Sequence, residues 1–142
     1  MGDGKVFKRI FKPGFMGTLE VKNRIVMAPM ATRLASEVGE VTQGLIDYYV
    51  ERAKGGAGTI ITEAVCLDYP LGALSPNNIK IDHNSLIAGH NELVEFVHAY
   101  GTKILCLLWH HGRNNRVIDG RQPAAPSAIA CKFTRCSTGK ES

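Results

Sequence analysis

The sequence predicts an α/β protein with a parallel sheet, from the order of its apolar stretches. Three strand-like stretches, at 23–32, 58–64 and 103–113, alternate with two segments that have the apolar spacing of amphipathic helices. The second strand begins directly after the glycines that end the first helical segment. A strand, a helix and a strand joined by tight connections form a βαβ unit, which places the strands parallel in one sheet.

The first strand, within Asn23–Thr32, ends in a proline followed by small and flexible side chains. Ile25 to Ala28 are consecutive apolar residues, a pattern that predicts a strand covered on both faces. Pro29 lacks a backbone donor, so the ladder has to stop there. Ligands of α/β folds bind at the carboxyl ends of strands, and small side chains let a flat cofactor approach the main chain.

The first helix follows a loop at 33–41 and has clear start and stop signals. The segment at 14–22 before the first strand reads as a small hairpin. Thr42 is the expected N-cap, and the pair Gly55-Gly56 ends the helix. Apolar residues recur between them at helical spacing: Leu45, Ile46, Tyr49, Val50 and Ala53.

The second half of the chain repeats this order. A polar loop punctuated by proline and glycine is expected from Ala64 to Asp82, at the functional end of the sheet. A second helix is predicted to end before Gly101, and its apolar stripe consists of Leu93, Val94, Val97 and Tyr100. The third strand begins at Lys103, and residues 126–129 are expected in a loop.

Composition excludes several classes of protein. The chain has 142 residues, 44% of them hydrophobic, and a formal net charge of +4. Such a chain can bury one modest core. The basic residues are spread along the chain without aromatic residues between them, which argues against a nucleic-acid partner. No apolar run has the length of a signal peptide core or of a membrane span, so a cytoplasmic protein is expected.

The cysteines and histidines do not form a metal-binding pattern. Cys131 and Cys136 are spaced for a metal or redox pair, but a zinc site needs two further ligands, and reduced thiols are the default. His110 and His111 are adjacent, so their rings point to opposite faces of an extended segment. Ordinary surface or capping roles are expected for His83, His90 and His98. We therefore expect no metal site.

Four motifs occur in a characteristic order: NRIVMAPM at 23–30, YYVERAKGGAGTIITEA at 48–64, LLWHHGR at 107–113 and APSAI at 125–129. With these motifs the chain resembles the Old Yellow Enzyme family of flavin-dependent ene-reductases. It is most similar to the branch of bacterial NADH:flavin oxidoreductases that includes 2-enoate and 2,4-dienoyl-CoA reductases. The resemblance implies FMN as cofactor and NAD(P)H as reductant. It also implies hydride transfer to the activated C=C bond of an enoate or enoyl thioester.

The resemblance also implies site residues. Ala28, Pro29, Met30 and Ala31 match the main-chain segment that meets the flavin ring, although by themselves they also fit the simple end of a buried strand. Ala64 matches a small residue near the ring. Leu107 departs from the family, which usually has a glutamine there that binds the flavin pyrimidine. A leucine cannot donate or accept a hydrogen bond, so flavin binding is expected to weaken at this position.

Two charged residues near these motifs are open to more than one interpretation. Arg33 could bind an anionic substrate group such as a carboxylate, or it could be a solvated loop arginine. Glu63 lies at a strand end and is interpreted as a structural acid, not as a catalytic base. No catalytic residue is assigned, because the proton donor, the carbonyl-polarising pair and the phosphate-binding segments of the family all lie on later strands.

The resemblance implies that residues 1–142 are the N-terminal portion, about three βα units, of an incomplete (β/α)8 TIM barrel. Residues 113–142 are expected to form a loop-like tail, cut short inside the loop after the third strand. FAD and an iron–sulfur cluster would belong only to a longer parent chain. The alternative is a non-catalytic fragment without activity of its own. Three strands leave two open edges, so self-association by edge pairing is expected.

Overall fold

A three-stranded parallel sheet organises the chain. The computed structural model describes residues 7–73, 75–115, 121–132 and 139–140. The spatial order of the strands is β3–β4–β5, with β4 in the centre. Their bounds are Val26–Met27 for β3, Thr59–Cys66 for β4 and Lys103–Trp109 for β5. Helix α1 (Gln43–Lys54) connects β3 to β4, and helix α2 (Ile87–His98) connects β4 to β5. The predicted βα order is confirmed.

Helix α1 has the predicted start and the predicted buried face. The Thr42 hydroxyl accepts a hydrogen bond from the Leu45 N–H at 3.2 Å and so caps the first turn. The helix ends at Lys54, before the two glycines. Its buried residues are the five predicted from the apolar spacing: Leu45, Ile46, Tyr49, Val50 and Ala53. They pack in one core with Ile60 and Val65 of β4, so this helix covers one face of the central strand.

Helix α2 confirms only part of its predicted stripe. Leu93 and Val97 are buried, and Val94 is half-buried. Tyr100 is 42% exposed, so its assignment to the buried stripe is wrong. The helix ends at His98, and beyond that residue the backbone no longer follows the helical period that would turn Tyr100 toward the core.

The prediction that the first strand is covered on both faces is wrong for this chain. Strand β3 consists of two residues, and Val26 is 47% exposed. Ile25 before it and Ala28 after it are exposed as well. Within the described residues β3 pairs only with β4 and lies at the edge of the sheet. Ile25, Val26 and Ala28 are therefore available to solvent, whereas Met27 is half-buried against the core.

The segment after β4 is more buried than the sequence predicts. The strand continues two residues past Ala64, to Cys66, and Cys66 forms a parallel bridge with Lys80. Ile79 is fully buried in the core. The stretch predicted as a loop between Ala64 and Asp82 therefore carries two side chains of the core cluster, Val65 and Ile79.

Short elements complete the described chain. The predicted hairpin is present as antiparallel strands β1 (Gly14–Met16) and β2 (Leu19–Val21). Two 3-10 turns span Asn84–Leu86 and Gly112–Asn114. Strand β6 (Ala124–Ala125) pairs in parallel with β7 (Gly139–Lys140), and residues 126–129 lie outside the strands. Among the described residues no helix has the length and apolarity needed to cross a bilayer.

Candidate functional site

The segment that follows β3 lies on the surface without regular structure. All four predicted flavin-contacting residues, Ala28, Pro29, Met30 and Ala31, are exposed. Arg33, two residues further on, is exposed and has a backbone φ of +59°. A left-handed conformation is uncommon for a residue with a side chain, so this turn has a defined and unusual shape.

Ala64 and Leu107 lie next to each other in the sheet. They are register partners of the parallel β4–β5 pair, just after an irregularity between Ile61 and Ala64. The Thr62 hydroxyl accepts a hydrogen bond from the Leu107 N–H at 3.1 Å and so satisfies a backbone donor at this irregularity. Ala64 and Leu107 are both half-buried. The structure therefore brings two of the predicted site residues together at neighbouring strands.

Glu63 connects the central strand to the segment after β3. The Glu63 side chain is fully buried, and its Oε2 accepts a hydrogen bond from the Thr32 N–H. The other oxygen, Oε1, is buried and has no hydrogen-bond partner in the described structure. The Glu63 N–H donates to the Tyr49 hydroxyl at 2.7 Å. The contact with Thr32 could not be predicted from local sequence patterns, because the two residues are 31 positions apart.

Burial changes the pKa of the Tyr49 phenol, which accepts the hydrogen bond from the Glu63 N–H. Desolvation raises the pKa of the Tyr49 phenol well above its ordinary value of 10.0, and the charge of Glu63 adds to this shift. The Tyr49 hydroxyl therefore stays protonated at neutral pH. It can accept the backbone N–H of Glu63 and still keep its own proton.

His110, the first of the two histidines after β5, contacts Gly112 and Asp68. His110 Nδ1 accepts a hydrogen bond from the Gly112 N–H at 3.0 Å, and its Nε2 lies 3.8 Å from Asp68 Oδ2. Desolvation lowers the pKa of His111, so this ring is neutral at pH 7. Within the described ranges no group of three His, Cys, Asp or Glu side chains is arranged to hold a metal ion.

The cysteines that the structure describes do not form a common site. Desolvation raises the pKa of the Cys66 and Cys106 thiols, so neither is activated as a thiolate at neutral pH. The Cys131 thiol donates to Asn114 Oδ1 at 3.1 Å. Cys136, the other member of the predicted pair, lies outside the described residues. The metal or redox pair of Cys131 and Cys136 stays an untested alternative.

Comparison with known protein families decides the relationship. Residues 9–139 match the model of the NADH:flavin oxidoreductase / NADH oxidase family. The chain belongs to this family. The predicted relationship to Old Yellow Enzyme is thereby confirmed.

Two curated members of the NADH:flavin oxidoreductase family illustrate the similarity. An NADH oxidase of Thermoanaerobacter brockii is 48% identical over 129 residues, which cover 89% of this chain and 20% of that protein. A cinnamate reductase of Clostridium sporogenes is 36% identical over 141 residues, which cover 95% of this chain and 21% of that protein. The chain thus spans about a fifth of the length of these two relatives.

Solved structures confirm the fold. Morphinone reductase superposes with a TM-score of 0.79 at 35% identity, and the match covers 89% of this chain and 34% of that one. Old Yellow Enzyme from Pichia sp. AKU4542 superposes with a TM-score of 0.76 at 31% identity, and the match covers 85% and 32%. These neighbours are TIM barrels, and the described α/β units correspond to about a third of such a barrel.

The described residues fit a flavin in part. Ala28, Ala31 and Ala64 have only a methyl side chain, and the first two are exposed beside the sheet, so main-chain groups there are accessible to a flat ring. Leu107 does not fit the expected contact with a flavin pyrimidine, because its side chain has no hydrogen-bonding group. The family therefore implies FMN and NAD(P)H, whereas the contact of each residue with FMN stays a prediction.

Proposed function

We propose that this chain contributes the first strands of an FMN-dependent NAD(P)H oxidoreductase of the ene-reductase type. The observation that carries the proposal is the register pair formed by Ala64 on β4 and Leu107 on β5. Strand β4 also lies next to β3, which leads into the exposed segment 28–31. Parallel strands place their carboxyl ends at one edge of a sheet, which is where barrel enzymes bind ligands. Family membership supports the oxidoreductase class.

The proposed roles of the chain's own residues are binding and orientation. Main-chain groups of Ala28, Pro29, Met30 and Ala31 would face the flavin edge, and Ala64 would leave room for the ring. Bound FMN supplies two-electron hydride chemistry between NAD(P)H and an activated C=C bond. Leu107 would pack against the ring without a hydrogen bond. We assign no catalytic acid or base to this chain.

We propose an enoate or enoyl thioester as substrate. The cinnamate reductase relative is named for an enoate, which supports this class. Arg33 is exposed and forms no ion pair within the described residues, so its guanidinium is available to a carboxylate. A solvated loop arginine remains the alternative role. FAD and an iron–sulfur cluster are proposed only for a longer parent chain, and the cytoplasmic location stays a prediction.

The second candidate is a chain without catalytic activity of its own. Two observations favour it: Leu107 has no polar side-chain group, and Val26 and Leu108 are 47% and 58% exposed on strands that a barrel would cover. A site open to water holds a flavin weakly. Under this interpretation residues 1–142 bind FMN weakly and do not reduce an enoate.

Two measurements test these proposals. The polypeptide is purified together with any further sequence that its gene encodes, and its absorbance is recorded near the flavin band at about 450 nm. Bound flavin and NAD(P)H-dependent reduction of cinnamate support the first candidate, whereas a colourless protein that does not take up FMN overturns it. Residues 1–142 are then titrated with FMN by fluorescence quenching. Micromolar or tighter binding, or enoate reduction, overturns the second candidate.

A further inference from the structure

The buried carboxyl of Glu63 makes a contact that the flavin-dependent chemistry described above does not use. Its Oε2 accepts the Thr32 N–H, which belongs to the peptide group between Ala31 and Thr32. A peptide group is planar and rigid, so fixing the Thr32 nitrogen also fixes the direction of the Ala31 carbonyl. Ala31 is the last residue of the segment proposed to face the flavin.

We propose that Glu63 is a positioning residue that holds the main chain of 28–32 in the shape required by the flavin. This inference rests on the proposed function, because it assigns a role within the same site. Glu63 acts through the Ala31–Thr32 peptide and does not itself contact the cofactor.

Glu63 is anchored on the central strand of the sheet. It lies on β4, which is paired on both sides, and its N–H donates to the hydroxyl of fully buried Tyr49. The segment after β3 is exposed and has no regular secondary structure of its own. A carboxyl fixed on β4 therefore determines where the segment after β3 lies.

The shape of the turn supports a positioning role. Arg33 follows Thr32 directly and has a φ of +59°. Residues with side chains adopt this conformation only when surrounding contacts stabilise it. The Glu63–Thr32 hydrogen bond is a contact of this kind, made one residue before the turn.

A purely structural role does not explain a carboxyl at this position. Glu63 is fully buried, and its Oε1 has no hydrogen-bond partner in the described structure. A methionine of similar length would fill the same volume without the cost of burying a polar group. The hydrogen bond that the Glu63 Oε2 accepts from the Thr32 N–H explains why a carboxyl is present at this position.

The test separates this contact from general stability. In residues 1–142, amide hydrogen exchange of Thr32 is measured by NMR in the wild type, E63M, E63Q and the surface control E51M. E63M removes the acceptor, and we expect Thr32 to exchange about 10- to 100-fold faster relative to the amides of α1. E63Q keeps an oxygen acceptor and restores slow exchange. An unchanged relative rate in E63M overturns the inference.

A second measurement covers the case in which E63M does not fold. The relative exchange rate of the Thr32 amide is then compared between wild type and E63D, because aspartate is one methylene shorter and withdraws the acceptor from the Thr32 N–H. An unchanged relative rate in E63D overturns the inference.

The link to the flavin is tested separately on the flavin-loaded protein. We expect E63M to weaken FMN binding about tenfold, E63Q to recover most of that affinity, and E51M to leave it unchanged. If the wild type binds no FMN, the proposed function fails, while the exchange experiment still decides whether Glu63 holds Thr32. If Thr32 loosens in E63M but FMN affinity stays the same, the role of Glu63 in the flavin site is overturned.

Discussion

Ala64 of β4 and Leu107 of β5 are direct register partners in the parallel sheet. A small side chain and a branched apolar side chain therefore lie side by side at the predicted flavin position. The pair provides space but no hydrogen-bonding group. Leu107 is for this reason the position where a single substitution tests the proposed site most directly.

The substitution Leu107→Gln is expected to strengthen FMN binding. A glutamine amide can donate to and accept from the polar edge of a flavin, and a satisfied buried polar group is worth about 1–3 kcal/mol, or about 10- to 100-fold in affinity. Titration with FMN by fluorescence quenching measures the change. Leu108→Gln is the matched control, because successive side chains of a strand point to opposite faces. Equal effects of the two substitutions would contradict the prediction.

The substitution Tyr49→Phe is expected to destabilise the fold. It removes the hydroxyl that accepts the Glu63 N–H at 2.7 Å and leaves a buried donor without a partner. Such a loss costs about 1–3 kcal/mol. Urea unfolding followed by circular dichroism measures it. The control is Tyr48→Phe, since Tyr48 is only partly buried and its ring contacts with Tyr49 and Arg52 are kept in phenylalanine. A Tyr49→Phe protein as stable as this control would refute the prediction.

The same tyrosine predicts a loss of stability at alkaline pH. Burial raises the pKa of folded Tyr49 above 10.0, the value near which the unfolded chain releases its proton. Above that pH the folded state binds more protons than the unfolded state, so the free energy of unfolding falls as pH rises. The slope from this group approaches about 1.4 kcal/mol per pH unit. Urea unfolding between pH 8 and 11 measures it, and an equally steep fall in Tyr49→Phe would exclude Tyr49 as its origin.

The substitution Gly39→Ala is expected to destabilise the fold more than Gly17→Ala. Both glycines have positive φ values, +84° at Gly39 and +60° at Gly17, so both substitutions strain the backbone by about 1–2 kcal/mol. A Cβ at Gly39 would also overlap the side chain of Lys80, whereas nothing lies within 4 Å of a Cβ at Gly17. Urea unfolding compares the two, and equal losses would show that the Lys80 side chain adapts without cost.

The edge strand β3 is expected to promote self-association. Val26 is 47% exposed on a strand that pairs with β4 alone in the described structure. A lysine at an edge strand opposes pairing with another chain. We expect Val26→Lys to raise the concentration needed for association about tenfold, as measured by sedimentation velocity. Ile87→Lys, a substitution at an exposed position on α2, is the control. A wild type that stays monomeric over the concentration range would contradict this prediction.

Local patterns were sufficient to predict helix α1. The Thr42 hydroxyl caps it, and the five apolar positions at helical spacing are the five buried ones. Both features depend on residues three or four positions apart, so they can be read from neighbouring letters of the sequence. The end of α2 was not predictable in this way, since Tyr100 continues the apolar spacing although the helix stops at His98.

The sequence by itself determined the order of strands and helices and the family of this protein, because these depend on periodicity and on contiguous motifs. Only the tertiary structure decided that Val26 is exposed and that Glu63 reaches the peptide of Thr32. Burial depends on which elements lie against a strand, and a hydrogen bond across 31 positions depends on where the segment after β3 lies relative to β4. Neither relationship is encoded in local spacing, because both arise when distant segments pack together.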